Sequence, residues 1–204
     1  MTSANRKQRK RTPNTERRRS STSSVLEAAR YLFVERGYAR TSINQIAKRA
    51  GMSSALAHHY FGSKEQIFIA AMRHTLSLYG AGVRGALAMA KGPRGRIEAI
   101  IRAGFSTTNF RREVVAAWLN FYVLAQTNSE ARALLLIYQN RMRSNFVHDL
   151  RQLVGMRAGG TAERIAGLID GLYLREALGR EVPSGEEATR QVLEALDLEI
   201  GFAK

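Results

Sequence analysis

Apolar residues recur at intervals of three and four along most of this chain, and no stretch alternates with the period of a strand. Val25, Ala28, Ala29, Leu32 and Phe33 mark one face of a first helix, which starts between residues 15 and 24 and ends at Gly37. Ile43, Ile46, Ala47 and Ala50 mark a second, with Thr41 or Ser42 placed to cap its start. Gly51, free to take positive φ, ends that helix sharply. Ser53 caps a third, SSALAHHYF, which Gly62 closes. Ser63 and Gln66 form a capping box that opens a longer helix through Ile67, Phe68, Ala71, Met72 and Leu76 toward Leu87, and Lys91-Gly92-Pro93 breaks it.

Five further helical segments follow at 97–105, 113–126, 131–154, 162–178 and 186–202, with breakers at 107–109, 128–129, 155–160 and 179–185. Ser184 and Glu187 repeat the capping-box pattern. The expectation is an all-α fold of about nine helices. A three-helix reader over 20–66 precedes a larger helical domain over 67–204.

Charge sharpens that division. The net charge is +15 over 204 residues, yet residues 1–64 alone hold fourteen Lys or Arg against three acids, Glu16, Glu27 and Glu35. A polyanionic partner for the N-terminal part follows. Residues 1–19 carry eight of those cations and almost nothing apolar, so they cannot offset their own ordering entropy and are expected to be disordered when free. Such a segment is either an arm that adds phosphate or minor-groove contacts or a solvated tail. Cysteine is absent, which excludes disulfides and thiolate metal sites and suits a reducing cytoplasm. The longest uncharged run, 114–129, is too short for a membrane span, and no apolar signal core follows the basic N-terminus.

Two short helices across a glycine turn, with small residues opening the second and cations around them, form the pattern of a helix-turn-helix DNA reader. Ser53, Ser54 and Ala55 let the third helix approach base edges closely, with hydroxyls for several bases and a methyl for thymine. Asn44 lies off the apolar stripe, where it can reach a base edge or face water. His58 and His59 point about 100° apart on a helix and cannot share a metal, so at least one is read as a phosphate or base contact. Lys64 sits in a first helical turn, where the dipole disfavours a cation, and that placement suggests a task outside the helix.

At these residues a resemblance becomes specific. I-A-x-x-A-G-M-S-x-A followed by H-Y-F-x-x-K resembles the N-terminal domain of the TetR family of bacterial repressors, over residues 25–72. The resemblance implies that His59 and Tyr60 contact DNA and that Lys64 binds phosphate. Farther along, AAWLNFY, RMRSNFVHDLRQL and LIDGLYLREAL are similar to the C-terminal domain of BetI-type regulators, repressors of choline-to-glycine-betaine genes. Relatives of that kind imply an organic cation such as choline as effector, the alternative being a regulator of the same family with a different ligand. A quaternary ammonium cannot donate a hydrogen bond and favours aromatic faces with a carboxylate nearby. Trp118, Phe121, Tyr122, Tyr138 and Tyr173, with Asp170, are the candidate ligand residues, although aromatics at helical spacing also serve as core. Glu113 and Asp149 are weaker candidates for the counter-charge.

The resemblance further implies a homodimer through the last two helices, with stripes at Ile165, Leu168, Ile169 and Leu172 and at Val192, Leu196 and Ile200. A two-fold dimer would present two recognition helices to an inverted-repeat operator in double-stranded DNA. The expected function is a transcriptional repressor released by a small molecule. A constitutive DNA-binding dimer is the second class, separated from the first by whether any metabolite changes DNA affinity. An enzyme is excluded: G-x-S-x-G, H-E-x-x-H and P-loop motifs are missing, and no cofactor or metal is expected.

Overall fold

The computed structural model describes residues 13–179 and 184–201, and among them every regular element is helical. The elements are α1 (Pro13–Arg36), α2 (Ile43–Arg49), α3 (Ser54–Phe61), α4 (Lys64–Met89), α5 (Gly92–Gly104), α6 (Arg112–Thr127), α7 (Ser129–Val154), α8 (Ala158–Leu178) and α9 (Gly185–Gly201), with a single 3₁₀ turn at Gly155–Arg157 before α8.

Local chemistry fixes the short helices. The Ser42 hydroxyl accepts from the Gln45 N–H while the Gln45 side chain accepts from the Ser42 N–H, a closed capping box. Ser53 caps α3 through the Leu56 N–H, and Ser63 with Gln66 closes a second box at α4. Each cap contributes about 1 kcal/mol. Gly51 has φ 71° and Gly62 φ 73°, both in the region that L side chains avoid. A Cβ at Gly62 would also collide with the Gln66 amide that completes the box.

Three boundaries differ from the sequence expectation. Helix α1 begins at Pro13, so residues 13–19 are helical rather than part of a disordered arm, while residues 1–12 lie outside the described residues. Once an apolar stripe from Val25 onward anchors the helix, adding turns at its start is far cheaper than nucleating one, and proline is tolerated in the first turn. Helix α5 likewise starts at Gly92, with Pro93 inside its first turn rather than excluding it. The 155–160 stretch, expected to break, turns only at Gly155 (φ 57°), and α8 runs through Gly159 and Gly160. At Ser184–Glu187 only half of the expected box forms: Ser184 Oγ accepts from the Glu187 N–H, while the Glu187 carboxylate pairs with Arg190.

Two cores follow. The first gathers Val25, Leu32 and Phe33 of α1, Ile46 of α2 and Ile67, Phe68 and Met72 of α4. It continues into α6 through Val114, Trp118 and Phe121, so the three-helix head is not sealed from the body. The second core joins α5, α7, α8 and α9 around Ile97, Ile101, Phe146, Leu150, Ile165 and Leu196. Arg96 meets the buried Asp149 at 2.9 Å, which ties α5 to α7 and removes Asp149 from the ligand candidates. Glu199 of α9 accepts from Arg164 and Thr161 of α8.

Phe68 is the hinge of the first core: its ring lies 5.0 Å from Phe33, 4.8 Å from Tyr38 and 6.3 Å from Phe121. Phe68→Ala is expected to cost about 3–5 kcal/mol in urea unfolding, whereas truncating the exposed Val123 to Ala leaves the midpoint near that of the native chain.

Candidate nucleic-acid interface and ligand site

The turn between α2 and α3 leaves a continuous set of side chains open. Ser42 and Asn44 of α2 are exposed, as are Ser53, Ala55, His58 and His59 at α3, while Ser54 and Tyr60 are half-buried. Only Ala57 turns fully inward, and it fixes the face that α3 presents. His58 Nδ1 lies 3.0 Å from the Gly62 carbonyl. A carbonyl only accepts, so Nδ1 is the donor in this contact. The His59 and Tyr60 rings lie 5.6 Å apart.

Thr41 departs from expectation. Its side chain is 2% exposed, and its hydroxyl donates toward the Leu32 carbonyl at 3.1 Å and the Gly37 carbonyl at 2.9 Å. It satisfies the end of α1 and neither caps α2 nor faces outward. Lys64 Nζ sits 4.3 Å from the Tyr38 ring centroid and 3.4 Å from the Ala39 carbonyl. Those partners offset its unfavourable place in the first turn of α4 and hold the ammonium beside the α1–α2 connection. Arg49 lies 3.5 Å over Tyr31 in the same manner. Neither tyrosine's role was visible in spacing alone.

In the body, Trp118 stands 5.1 Å from Tyr138 and 6.0 Å from Tyr122, ring to ring. The Tyr122 hydroxyl donates to Asp170 at 3.3 Å. Tyr173 donates to the Gly104 carbonyl at 2.6 Å and packs on Phe105 and Phe110. Burial raises the Tyr138 hydroxyl well above its ordinary pKa, with Tyr79, Tyr173, Tyr122 and Asp170 adding to the shift. Burial also lifts Asp170 above the ordinary carboxylate value, and the Tyr122 hydrogen bond opposes that in part. Five of the six expected ligand residues therefore converge.

Phe121 does not join them. Completely buried between Phe68 and Trp118, it belongs to the core. Tyr79 of α4 was missed; it meets Tyr138 at 6.0 Å, and burial pushes its hydroxyl up to about 12. Its spacing of three from Leu76 and four from Val83 was the available signal. A cleft of about 400 Å³ between α1, α4 and α6 reaches Trp118 and Tyr79. Tyr122, Asp170 and Tyr173 do not line it. Among the described residues no group of three or more acidic or histidine side chains could hold a metal, and no helix is long and apolar enough to cross a membrane.

The stripes expected to face a partner are mostly internal: Ile165, Ile169, Leu172, Val192 and Leu196 are buried within the chain. Open on α8 instead are Gly167, Leu174 and Leu178, with Leu198 on α9.

A capped helix-turn-helix head on an all-helical body defines a DNA-binding regulator. Comparison with known proteins narrows the class. Residues 25–71 match the model of bacterial regulatory proteins of the tetR family, and residues 93–201 match that of the BetI-type transcriptional repressor C-terminal domain. The HTH-type transcriptional regulator BetI of Brucella anthropi is 44% identical over 80% of this chain and 85% of its own length. Its counterpart in Rhizobium meliloti is 42% identical over 81% and 82%. Among solved structures, a TetR transcription regulator from Haloarcula marismortui superposes with a TM-score of 0.79 at 17% identity, covering 88% of this chain and 98% of that one. A transcriptional regulator from Saccharomonospora viridis in complex with choline does so with 0.78 at 24%, covering 88% and 96%. The chain belongs to the TetR family as a BetI-type transcriptional repressor, a DNA-binding regulator and not an enzyme.

Lys64→Ala is expected to weaken binding to every duplex sequence tested and to reduce the slope of log affinity against log salt by about 1. Fluorescence anisotropy at several salt concentrations measures both; an unchanged slope would leave Lys64 with only its contacts to Tyr38 and Ala39.

Proposed function

We propose that the chain is a homodimeric repressor whose grip on an inverted-repeat operator is loosened by a small organic cation. The observation that carries this reading is Asp170, half-buried among Tyr122, Tyr138 and Tyr173 with Trp118 behind them, and without a cationic partner among the described residues. Aromatic faces and one carboxylate suit a quaternary ammonium. Choline is the first compound to test, because the fold neighbour from Saccharomonospora viridis was solved with it.

On the DNA side, Ser42, Asn44, Ser53, Ser54, Ala55, His58, His59, Tyr60 and Lys64 supply the contacts, and Thr41 supports them from within. The dimer would form through α8 and α9, where Gly167, Gly171, Leu174 and Leu178 recur at i, i+4, i+7 and i+11 and the glycines allow close approach. Release follows from where the 400 Å³ cleft lies: Phe33, Phe68 and Trp118, from α1, α4 and α6, share its wall. A cation held at Asp170 bears on that wall through Trp118, which packs on Tyr122 and Tyr138, and so acts on the helices that carry the head; by linkage operator DNA weakens the ligand equally. Action on DNA places the protein in the cytoplasm.

The pH dependence is a direct test. Burial raises the Asp170 pKa, so in the ligand-free protein its ionised form opposes folding, and stability falls as pH rises from the ordinary value of 3.8 through the raised one. Cation binding runs the other way: choline affinity should fall on acidification through that same window and stay flat well above it. Asp170→Asn should cost at least tenfold in affinity at neutral pH and remove the dependence. Calorimetry across pH, with anisotropy on an operator obtained by in vitro selection, reads both effects. If no organic cation binds or alters DNA affinity, a constitutive DNA-binding dimer becomes the better account.

A further inference from the structure

A second cleft, of about 510 Å³, opens between α4, α5 and α7, on residues to which the proposed cation site assigns nothing except a shared wall. Its lining has the opposite electrostatic character. Arg73, Arg84 and Arg141 line it, and no carboxylate does. Arg73 is committed to Glu130 at 2.8 Å, but Arg84 and Arg141 have no ion-pair partner among the described residues. Two uncompensated guanidiniums therefore lie along one concavity. The rest of the lining is mostly apolar, with Val83, Ile100 and Met142 buried and Ile137 still 51% exposed, beside the polar Ser77 and Asn145. Tyr138 separates this cleft from Trp118.

We propose that this cleft is a ligand site for an amphipathic monoanion: a carboxylate on an unbranched aliphatic chain. Arginine is suited to carboxylates because its planar fork donates two parallel hydrogen bonds, and the charge-assisted bonds gain strength beside apolar surface. The apolar lining would take the chain and cover the open face of Ile137. The volume lies in the range of small-molecule sites, roughly 300–1,000 Å³. Asp170, by contrast, would repel the same ligand from the aromatic site, so the two sites select opposite charges. The inference stands whether or not the cation reading holds, because the two share no charged residue.

Titration calorimetry with decanoate below its micellar concentration, on the full chain, tests the proposal, with decanol as the chain-matched neutral control. Saturable binding of one decanoate per chain is expected, at least tenfold tighter than decanol. Arg84→Gln with Arg141→Gln should remove at least tenfold of that affinity while circular dichroism and the ligand-free melting temperature stay unchanged. Should the double variant unfold, Ile137→Asp, at an exposed position, reads the same site by placing a negative charge at its mouth, and it too should weaken decanoate at least tenfold. Asp170→Asn should leave decanoate affinity unchanged. No binding, equal affinity for decanol, indifference to both the arginine and Ile137 variants, or a large response to Asp170→Asn would each overturn the assignment.

Discussion

The head and body of this protein are held in register by a row of aromatic contacts. Lys64 lies against Tyr38, Tyr38 against Phe68 at 4.8 Å, Phe68 against Phe121 at 6.3 Å, and Phe121 against Trp118 at 6.0 Å. Phe68 and Phe121 have essentially no exposed surface, so neither ring can shift without a neighbour shifting as well. One end of the row is a cation beside the α1–α2 connection, and the other is an indole at the rim of a cleft. Close packing of this kind converts a small displacement at one end into a choice between two arrangements rather than a smooth deformation.

The same row explains how a cation is held where a helix dipole opposes it. In the first turn of α4, Lys64 faces the partial positive charge of unpaired N–H groups, two of which the Ser63–Gln66 box already occupies. The Tyr38 ring and the Ala39 carbonyl offer negative potential from a different part of the chain. Lys64 is thus positioned by tertiary contacts, and its place depends on how α1 ends. Thr41, donating to the carbonyls of Leu32 and Gly37, fixes that end.

What could be read from sequence divides along the range of the interactions. Caps, glycine turns and the exposed face of α3 depend on residues within four positions of one another, and the pattern reveals them. Periodicity could not bring Tyr122, Tyr138, Asp170 and Tyr173 together; the family resemblance suggested them as a group, and the structure places them near one another. Periodicity also failed where the question was what covers an apolar face. Ile165, Ile169, Val192 and Leu196 look the same whether a symmetry mate or α5 and α7 lie opposite, and the second proves true. Phe121 failed for the same reason, its partner being Phe68 rather than a cavity. Gly159 and Gly160 do not stop α8. Each costs a helix about 1 kcal/mol, less than burying Ala158, Ala162 and Ile165 returns.

Two acids in the body, one buried and one half-buried, differ in what balances their charge. Asp149 is 1% exposed and faces Arg96 at 2.9 Å, so its charge is balanced inside the fold and ties α5 to α7. Asp170 is desolvated too, yet what faces it is a phenol hydroxyl at 3.3 Å and further tyrosines that supply no positive charge. Removing a carboxylate from water without a counter-ion costs several kcal/mol before relaxation, and the upward pKa shift is how that cost is expressed. An arginine opposite Asp170 would relieve the cost and fill the space. The chain leaves that position to aromatic faces instead. Such a carboxylate can relieve the desolvation cost by taking up a proton or, under the proposed reading, by receiving a cation from outside, which would favour the conformation that holds the cation over the one that does not.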